Sequence, residues 1–412
     1  SDGVLPLHAT PRAFTSLQGD GSAGLGPQTV EEARECFLEC RSWFCDTEDF
    51  RSFSGLSRQG LALVKLVFRC ILDSRDTASA GVPLMYFEGS KGPWLDDVRG
   101  FGMLLMERLG RLLDVDMDHM TAEELVKGGL RDPVMLFIKD EPHKEAKVKD
   151  GRFRLIASVS LLDSVVERVL FSKQNKMEIA GHRELPFKPG MGLHDEGMQD
   201  LFSYFKEIMA EGPTVSSDIS VWDWTVPGWL IEMGRDYRLA CGLSGGSWER
   251  LVRQYYIGHS LSVLVDSDGF MYAQRVPGIM KSGSYNTSSD NSHMRYMLAH
   301  VVESEAGPVT GRRRGCQMGD DALERFTPGM TEAYGRYGFK TRGVNKMEKK
   351  ISFCSTIWED DWKGVPENWH RTLFRILSKD ESDVDYPAFK EQFLYELRYA
   401  KNLGEIVRRM GW

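Results

Sequence analysis

Two carboxylates stand side by side behind a glycine at Gly319-Asp320-Asp321, within CQMGDDALE (Cys316–Glu324). Adjacent like charges repel, and burial strengthens the repulsion. Aspartate and glycine are also the ordinary residues of a solvated turn. The chemical alternative is a divalent cation that holds the acids together while the turn presents them. A second acidic stretch lies upstream in TVSSDISVWDWTV (Thr214–Val226). Val215, Ser217, Ile219 and Val221 alternate there with Ser216, Asp218 and Ser220, which predicts a strand with one polar face and Asp218 near its end. Asp223 follows between Trp222 and Trp224, an unusual setting for a solvated loop. If the strand runs beside the Asp320 turn, Asp218 and Asp320 share cations. A two-metal site needs carboxylates from separate segments holding ions about 3.5–4 Å apart, one activating the attacking oxygen and one stabilising the leaving oxygen. Hard, oxygen-only ligands point to Mg²⁺.

A third stretch, KSGSYNTSSDNSHMR (Lys281–Arg295), pairs a flexible polar loop, Ser282-Gly283-Ser284, with a helix start. Thr287 and Asn291 are four apart and fall on one helix face. Such residues usually cap a helix. Beside a site that handles a sugar, the same hydroxyls and amide can hydrogen-bond a ribose, and Asp223 can join them.

The elements that must position these groups are mixed. Residues 1–28 are rich in Gly, Ser and Pro and read as an extended arm. A chain that begins Ser-Asp-Gly suggests a trimmed chain or a piece of a larger precursor. Capping patterns open helices at Thr29 with Glu32, Thr121 with Glu124, and Ser160 with Asp163. Strands are expected at VMLFI (Val134–Ile138), LSVLV (Leu261–Val265) and KISFCSTI (Lys350–Ile357), with a hairpin across DSDG between Ser262–Val265 and Phe270–Ala273. Residues from about 361 read as helical with a basic end at Arg408 and Arg409. No regular βαβ alternation occurs, which indicates α+β.

Composition narrows the function. The 412 residues suffice for two or three cores. No apolar run reaches the roughly 18 residues of a membrane span; Leu61–Leu72 comes nearest and carries Lys65 and Arg69. The seven Cys suggest reduced thiols in a cytoplasmic setting, and Cys36, Cys40 and Cys45 read as helix core rather than a zinc site. A net charge of −8 is the wrong sign for general nucleic-acid binding, so a basic surface must be local. Lys139–Arg154 and Lys340–Lys350 supply one, whereas Arg312–Arg314 read as a solvated face.

In that order, Asp218-x4-Asp223, Ser282-Gly283-x3-Thr287-x3-Asn291 and Gly319-Asp320-Asp321 resemble motifs A, B and C of positive-strand viral RNA-dependent RNA polymerases. The wording looks most like the sobemovirus, polerovirus and barnavirus group. ASAGVP (Ala78–Pro83) resembles motif G, Lys139–Ile156 motif F, Tyr337–Lys346 motif D and FCS (Phe353–Ser355) motif E. Seven motifs in register make the resemblance specific.

The resemblance implies a right-hand fold with an antiparallel palm sheet backed by helices. Fingers would span about 29–193 and 229–276, palm 194–228 (motif A) and 277–358 (motifs B to E), and thumb 359–412. Asp218 and Asp320 would bind both metals, with Asp321 supporting and Mn²⁺ as the substitute for Mg²⁺. Asp223 and Asn291 would read the 2′-hydroxyl, with Ser282 and Thr287 in the same network. Lys139, Lys147 and Arg154 would contact the triphosphate, and Lys346 would protonate departing pyrophosphate. Ser79, Gly81, Pro83 and Gly283 would line the template path. One departure is His143, where the wider class carries Arg, with Lys144 beside it. Asp290 is unusually acidic for its loop. The implied partners are RNA, ribonucleoside triphosphates and other viral replication proteins, in host cytoplasm at membrane-borne replication complexes.

The implied activity is RNA-templated RNA synthesis. A reverse transcriptase is the nearest alternative, opposed by the Asp223–Asn291 pair and separable by comparing ribo- and deoxyribonucleotides on both templates. A non-catalytic RNA-binding protein is the other, and it predicts no activity for Asp320→Ala to remove.

Overall fold

The computed structural model describes residues 29–45, 53, 55–74, 78–139, 141, 143, 145–243, 246–306, 315–378 and 385–411. The expected arm at 1–28, the Arg312–Arg314 cluster and Lys144 lie outside the described residues. The described strands, in chain order, are β1 (Val134–Ile138), β2 (Leu155–Ser158), β3 (Thr214–Ile219), β4 (Val263–Val265), β5 (Met271–Ala273), β6 (Cys316–Met318), β7 (Asp321–Arg325), β8 (Thr341–Lys346), β9 (Ile351–Phe353), β10 (Thr356–Trp358) and β11 (Val365–Pro366). Helices and strands are mixed as α+β. The chain divides into two compact units, one of residues to Phe137, Leu155–Leu185 and Val221–Met294, the other of Ile138–Arg154, Pro186–Ser220 and Arg295–Trp412.

The first unit is mainly helical. Val30–Cys45 opens with Thr29 and Glu32 bonding each other's backbone, and Ala122–Lys127 carries the full reciprocal box of Thr121 and Glu124. Ser160 caps Leu161–Ala180 through the Asp163 amide. The Asp163 carboxylate does not return to the cap. It goes to Arg108, which also reaches Asp132 at 2.7 Å, because a buried guanidinium needs charge partners. Phe44, Val64, Leu105, Leu109 and Phe171 are buried, as the helical spacing requires. Cys36 and Cys40 share that core, but Cys45, at the helix end, is exposed, which corrects its reading as a core residue. The seven cysteines are unbridged. One sheet runs β2-β1-β4-β5; β1 and β4 are parallel, and β4–β5 is the expected hairpin.

The second unit holds an antiparallel sheet in the order β6-β7-β3-β8. Leu323 and Cys316 pack with Met198, Leu201 and Phe205 of helix Asp195–Glu211 and with Phe353 and Trp358. KISFCSTI is not one strand. It folds back at Cys354 and Ser355, with φ of 49° and 55°, into the β9–β10 hairpin. Two consecutive left-handed residues are what a tight hairpin turn with right-handed strand twist demands. The stretch from 361 is also not continuously helical: β11 pairs with β10 first, at the sheet edge, where Pro366, which lacks an N–H, is tolerated. Helices Trp369–Leu377, Tyr386–Glu396 and Leu403–Met410 follow, around Phe393, Leu397 and Ile406. No helix among the described residues is long and apolar enough to cross a membrane.

Candidate active site

Strand β3 forms where the alternation puts it. Val215, Ser217 and Ile219 are buried, and Asp218 is exposed. Val221 departs from the pattern: it takes φ 49° and is 57% exposed, because the chain turns there into the short helix Trp222–Thr225. Beside β3, the β6–β7 hairpin turns through Gly319 and Asp320. Gly319 has φ 65°, a conformation open to glycine without strain, at the first position of the two-residue turn.

Register brings the acids together. Ser216 pairs with Leu323 and Ser217 with Ala322 across β3 and β7. The pairing ends there, one residue short of Asp218 and Asp321, which stand at adjoining ends of β3 and β7. Both lie beside the turn that carries Asp320. The electrostatics agree. Desolvation, then the charge of Asp320, with Asp218 adding to it, pushes the Asp321 carboxyl up to about 6. Partial burial also raises the Asp218 carboxyl above its ordinary range, with the push of Asp320 and against the pull of Arg342. Arg342 lies 3.8 Å from Asp218 and donates to Ser220 at 3.1 Å.

These acids suit a hard divalent cation, which would relieve their mutual repulsion. Among the described residues no three His, Cys, Asp or Glu side chains draw close enough to hold an ion by themselves. Mg²⁺ does not require that, since it keeps waters and takes one or two carboxylates plus substrate phosphates.

Beneath β3, Ser217 is buried against Glu324 and Arg295. Arg295 donates to Glu324 at 3.0 Å and to the Tyr334 hydroxyl at 2.7 Å, and that hydroxyl donates to Glu324 at 2.6 Å. Sequence reasoning missed this pair, although Arg295 is four residues past Asn291 on one helix face, a spacing that could have marked it.

In the first unit, Thr287 and Asn291 share helix Thr287–Glu305, as expected. Asn291 donates to Asp223 at 2.9 Å, and the Trp222 indole donates to Asn291 at 2.9 Å. The Thr287 hydroxyl faces the backbone carbonyls of Lys281, Ser282 and Ser284 at 2.9, 3.1 and 2.8 Å. Ser282 accepts from the Ala157 amide at 3.0 Å. A Cβ on Gly283 would sit 2.6 Å from the Ala157 carbonyl, so only glycine lets the loop lie on β2. Asp290 is buried and accepts from Arg238 at 2.7 Å and Tyr256 at 3.0 Å, which explains an acid at this place in the loop. Ser79 accepts from the Gly81 amide at 3.2 Å; Gly81 (φ 69°) lies against the Ser160 backbone, and Pro83 precedes the short helix Leu84–Tyr86.

The basic groups converge on a carboxylate that sequence reasoning passed over. Glu141 lies 3.3 Å from Lys139, 3.1 Å from Arg154 and 3.1 Å from Arg371. These three cations outweigh its partial burial and hold its carboxyl below the ordinary range. Lys147 sits half-buried on helix Glu145–Lys149. His143 accepts from the Arg154 amide at 3.3 Å and packs edge-on against Phe153. Lys346 ends β8, exposed, with its ammonium 4.7 Å from the Phe326 ring centre.

The sequence profile of the viral RNA-directed RNA-polymerase family matches residues 91–230 and 253–355. The RNA-directed RNA polymerase of Mushroom bacilliform virus is 36% identical over 330 residues, 76% of this chain and 78% of that protein. Protein P1-P2 of Potato leafroll virus is 34% identical over 402 residues, 91% of this chain and 36% of that protein. Replicase polyprotein P2AB of Southern bean mosaic virus is 36% identical over 369 residues, 86% of this chain and 37% of that protein. The chain thus spans most of the first relative and little more than a third of the other two.

Proposed function

This chain belongs to the viral RNA-directed RNA polymerase family and makes RNA on an RNA template, and from that premise we propose that Asp218, Asp320 and Asp321 form its catalytic acid cluster. The observation that supports the proposal is the β3–β7 register, whose last pair, Ser217 with Ala322, leaves Asp218 and Asp321 at adjoining strand ends, next to the turn that carries Asp320. Phosphoryl transfer to a 3′-hydroxyl needs in-line positioning and cancellation of charge more than covalent help. A pair of Mg²⁺ ions, with Mn²⁺ able to substitute, would lower the charge barrier between the attacking oxygen and the phosphate.

The chain's own residues do the rest. Asp218 and Asp320, with Asp321 supporting, would hold those cations. Lys139, Lys147 and Arg154 orient the triphosphate, and binding exchanges Glu141 for phosphate oxygens as the partner of Lys139 and Arg154. Lys346, exposed at the end of β8, gives a proton to departing pyrophosphate. Asp223 and Asn291, hydrogen-bonded to each other, read the 2′-hydroxyl and favour ribonucleotides, which argues against reverse transcription. Thr287 and Ser282 hold the loop around that pair, and Ser79, Gly81, Pro83 and Gly283 line the template path.

The sheet β6-β7-β3-β8 is the palm in this reading, with motif A at 194–228 and motifs B to E at 277–358. Fingers comprise 29–193 and 229–276, and the helices within 359–412 are the thumb. The polymerase works with other viral replication proteins, in host cytoplasm at replication complexes on membranes, which it reaches through those partners.

The test is direct. Purified protein is incubated with RNA template, four ribonucleoside triphosphates and Mg²⁺ without primer, and the product is sized. Template-length RNA from the wild type and none from Asp218→Ala is the expected result; normal extension by that variant sinks the assignment.

A further inference from the structure

We propose that Trp222 is a positioning residue for sugar selection: its indole N–H locks the Asn291 side chain in the one orientation that keeps the amide N–H₂ aimed at Asp223 and at the sugar beside it. The inference rests on the reading of Asp223 and Asn291 as the sugar-sensing pair.

The geometry is a chain of two hydrogen bonds. Trp222 Nε1 donates to Asn291 Oδ1 at 2.9 Å, and Asn291 Nδ2 donates to Asp223 Oδ1 at 2.9 Å. Indole N–H only donates, and an ionised carboxylate only accepts. The amide between them therefore has one satisfied orientation. Turned over, it sets donor against donor at the indole and oxygen against oxygen at the carboxylate.

The two restraints duplicate each other only while Asp223 is bound to Asn291. Once Asp223 engages a sugar hydroxyl, the indole is what still holds the amide. Trp222 is built for that task. The left-handed turn at Val221, φ 49°, drives the indole inward until only 2% of the residue is exposed, while Asp223 stays half-buried. The Asp223 carbonyl accepts from the Met280 amide at 2.7 Å, which ties this turn to the loop ahead of the Asn291 helix. On the helix side, Asp290 is held by Arg238 and Tyr256, so the backbone carrying Asn291 is anchored as well. With both ends of the bond fixed, the amide rotation is the remaining freedom, and the indole removes it.

The experiment compares CTP with dCTP incorporation (kcat/KM) at one template position. Trp222→Phe removes the donor. Replacing Trp222 by benzothienylalanine, which has sulfur in place of the N–H at nearly the same shape, removes it without changing packing. Both are expected to lower ribonucleotide discrimination about tenfold, the size of one lost buried hydrogen bond. The sulfur isostere should melt within a few degrees of the wild type, since packing is kept and only one hydrogen bond is lost. In an Asn291→Ala background, Trp222→Phe should lower discrimination no further, because the indole acts through that amide. Unchanged discrimination in the isostere, alongside a fall in Asp223→Ala, reduces Trp222 to core packing and overturns the inference alone. Unchanged discrimination in Asp223→Ala overturns the sugar-sensing reading and this inference with it.

Discussion

Arg295 donates to Glu324 at 3.0 Å with its guanidinium wholly buried, and the same group reaches the hydroxyl of Ser217, the residue before Asp218. The exposed face of β3 carries the acid, and the opposite face is bolted to a buried ion pair. Strand position, and with it the carboxylate, depends on a charge pair that never meets solvent.

Removing Arg295 should therefore be costly. Arg295→Met leaves Glu324 buried without its cation and is expected to destabilise by about 3–5 kcal/mol. The double variant Arg295→Met, Glu324→Leu should recover much of that loss in urea unfolding. Equal stability of the single variant and wild type would show that the pair does not anchor the sheet.

Asp320→Ala and Asp218→Ala should each cut nucleotide addition by about a thousandfold or more, the scale of losing charge stabilisation in a transition state. RNA affinity, measured by filter binding, should persist, because the proposed role of the acids is to hold cations rather than template. Loss of RNA binding in parallel with activity would point to a folding defect instead.

Gly283→Ala should loosen the loop that precedes the Asn291 helix. The added Cβ would sit 2.6 Å from the Ala157 carbonyl, which also accepts the Gly283 amide at 2.9 Å. Overpacking of this kind costs about 1–3 kcal/mol. The expected readouts are a lower melting temperature and a higher KM for nucleotide; an unchanged melting temperature would mean that the loop shifts freely.

Lys281 should make stability depend on pH. Desolvation, with Arg131 adding to it, holds its buried amine well below the usual lysine range, and it donates to Gln274 at 2.9 Å and to the Gly278 carbonyl at 3.1 Å. A depressed amine binds its proton more weakly in the folded chain than in the unfolded one. Stability therefore rises with pH between the folded value and the ordinary one near ~10.4, and falls as pH drops. His259, pushed well below its ordinary value mainly by burial, acts in the same direction below about 6.5. Lys281→Met should flatten the slope by up to about 1.4 kcal/mol per pH unit in urea titrations. An identical slope in wild type and variant would mean that the folded amine keeps an ordinary affinity for its proton.

Much of the local structure was legible in the sequence. Alternation of Val215, Ser217 and Ile219 with Asp218 specifies a strand and its polar face, since side chains alternate across a pleat. Capping residues at Thr29, Thr121 and Ser160 mark helix starts, since the first amides of a helix need acceptors nearby. The glycine before Asp320 marks a turn that can expose two acids.

Only the tertiary structure decided who pairs with whom. Nothing in KISFCSTI announces a fold-back at Cys354; the two left-handed residues are sustained by strands on either side. Asp290 looked out of place until Arg238, 52 residues away, proved to be its buried partner. Glu141 joins Lys139, Arg154 and Arg371 from three stretches of chain. Periodicity records which face of an element is dry, but a buried charge is satisfied by whichever opposite group the packing brings to it. That choice is made by desolvation across long sequence separations, and no local pattern carries it.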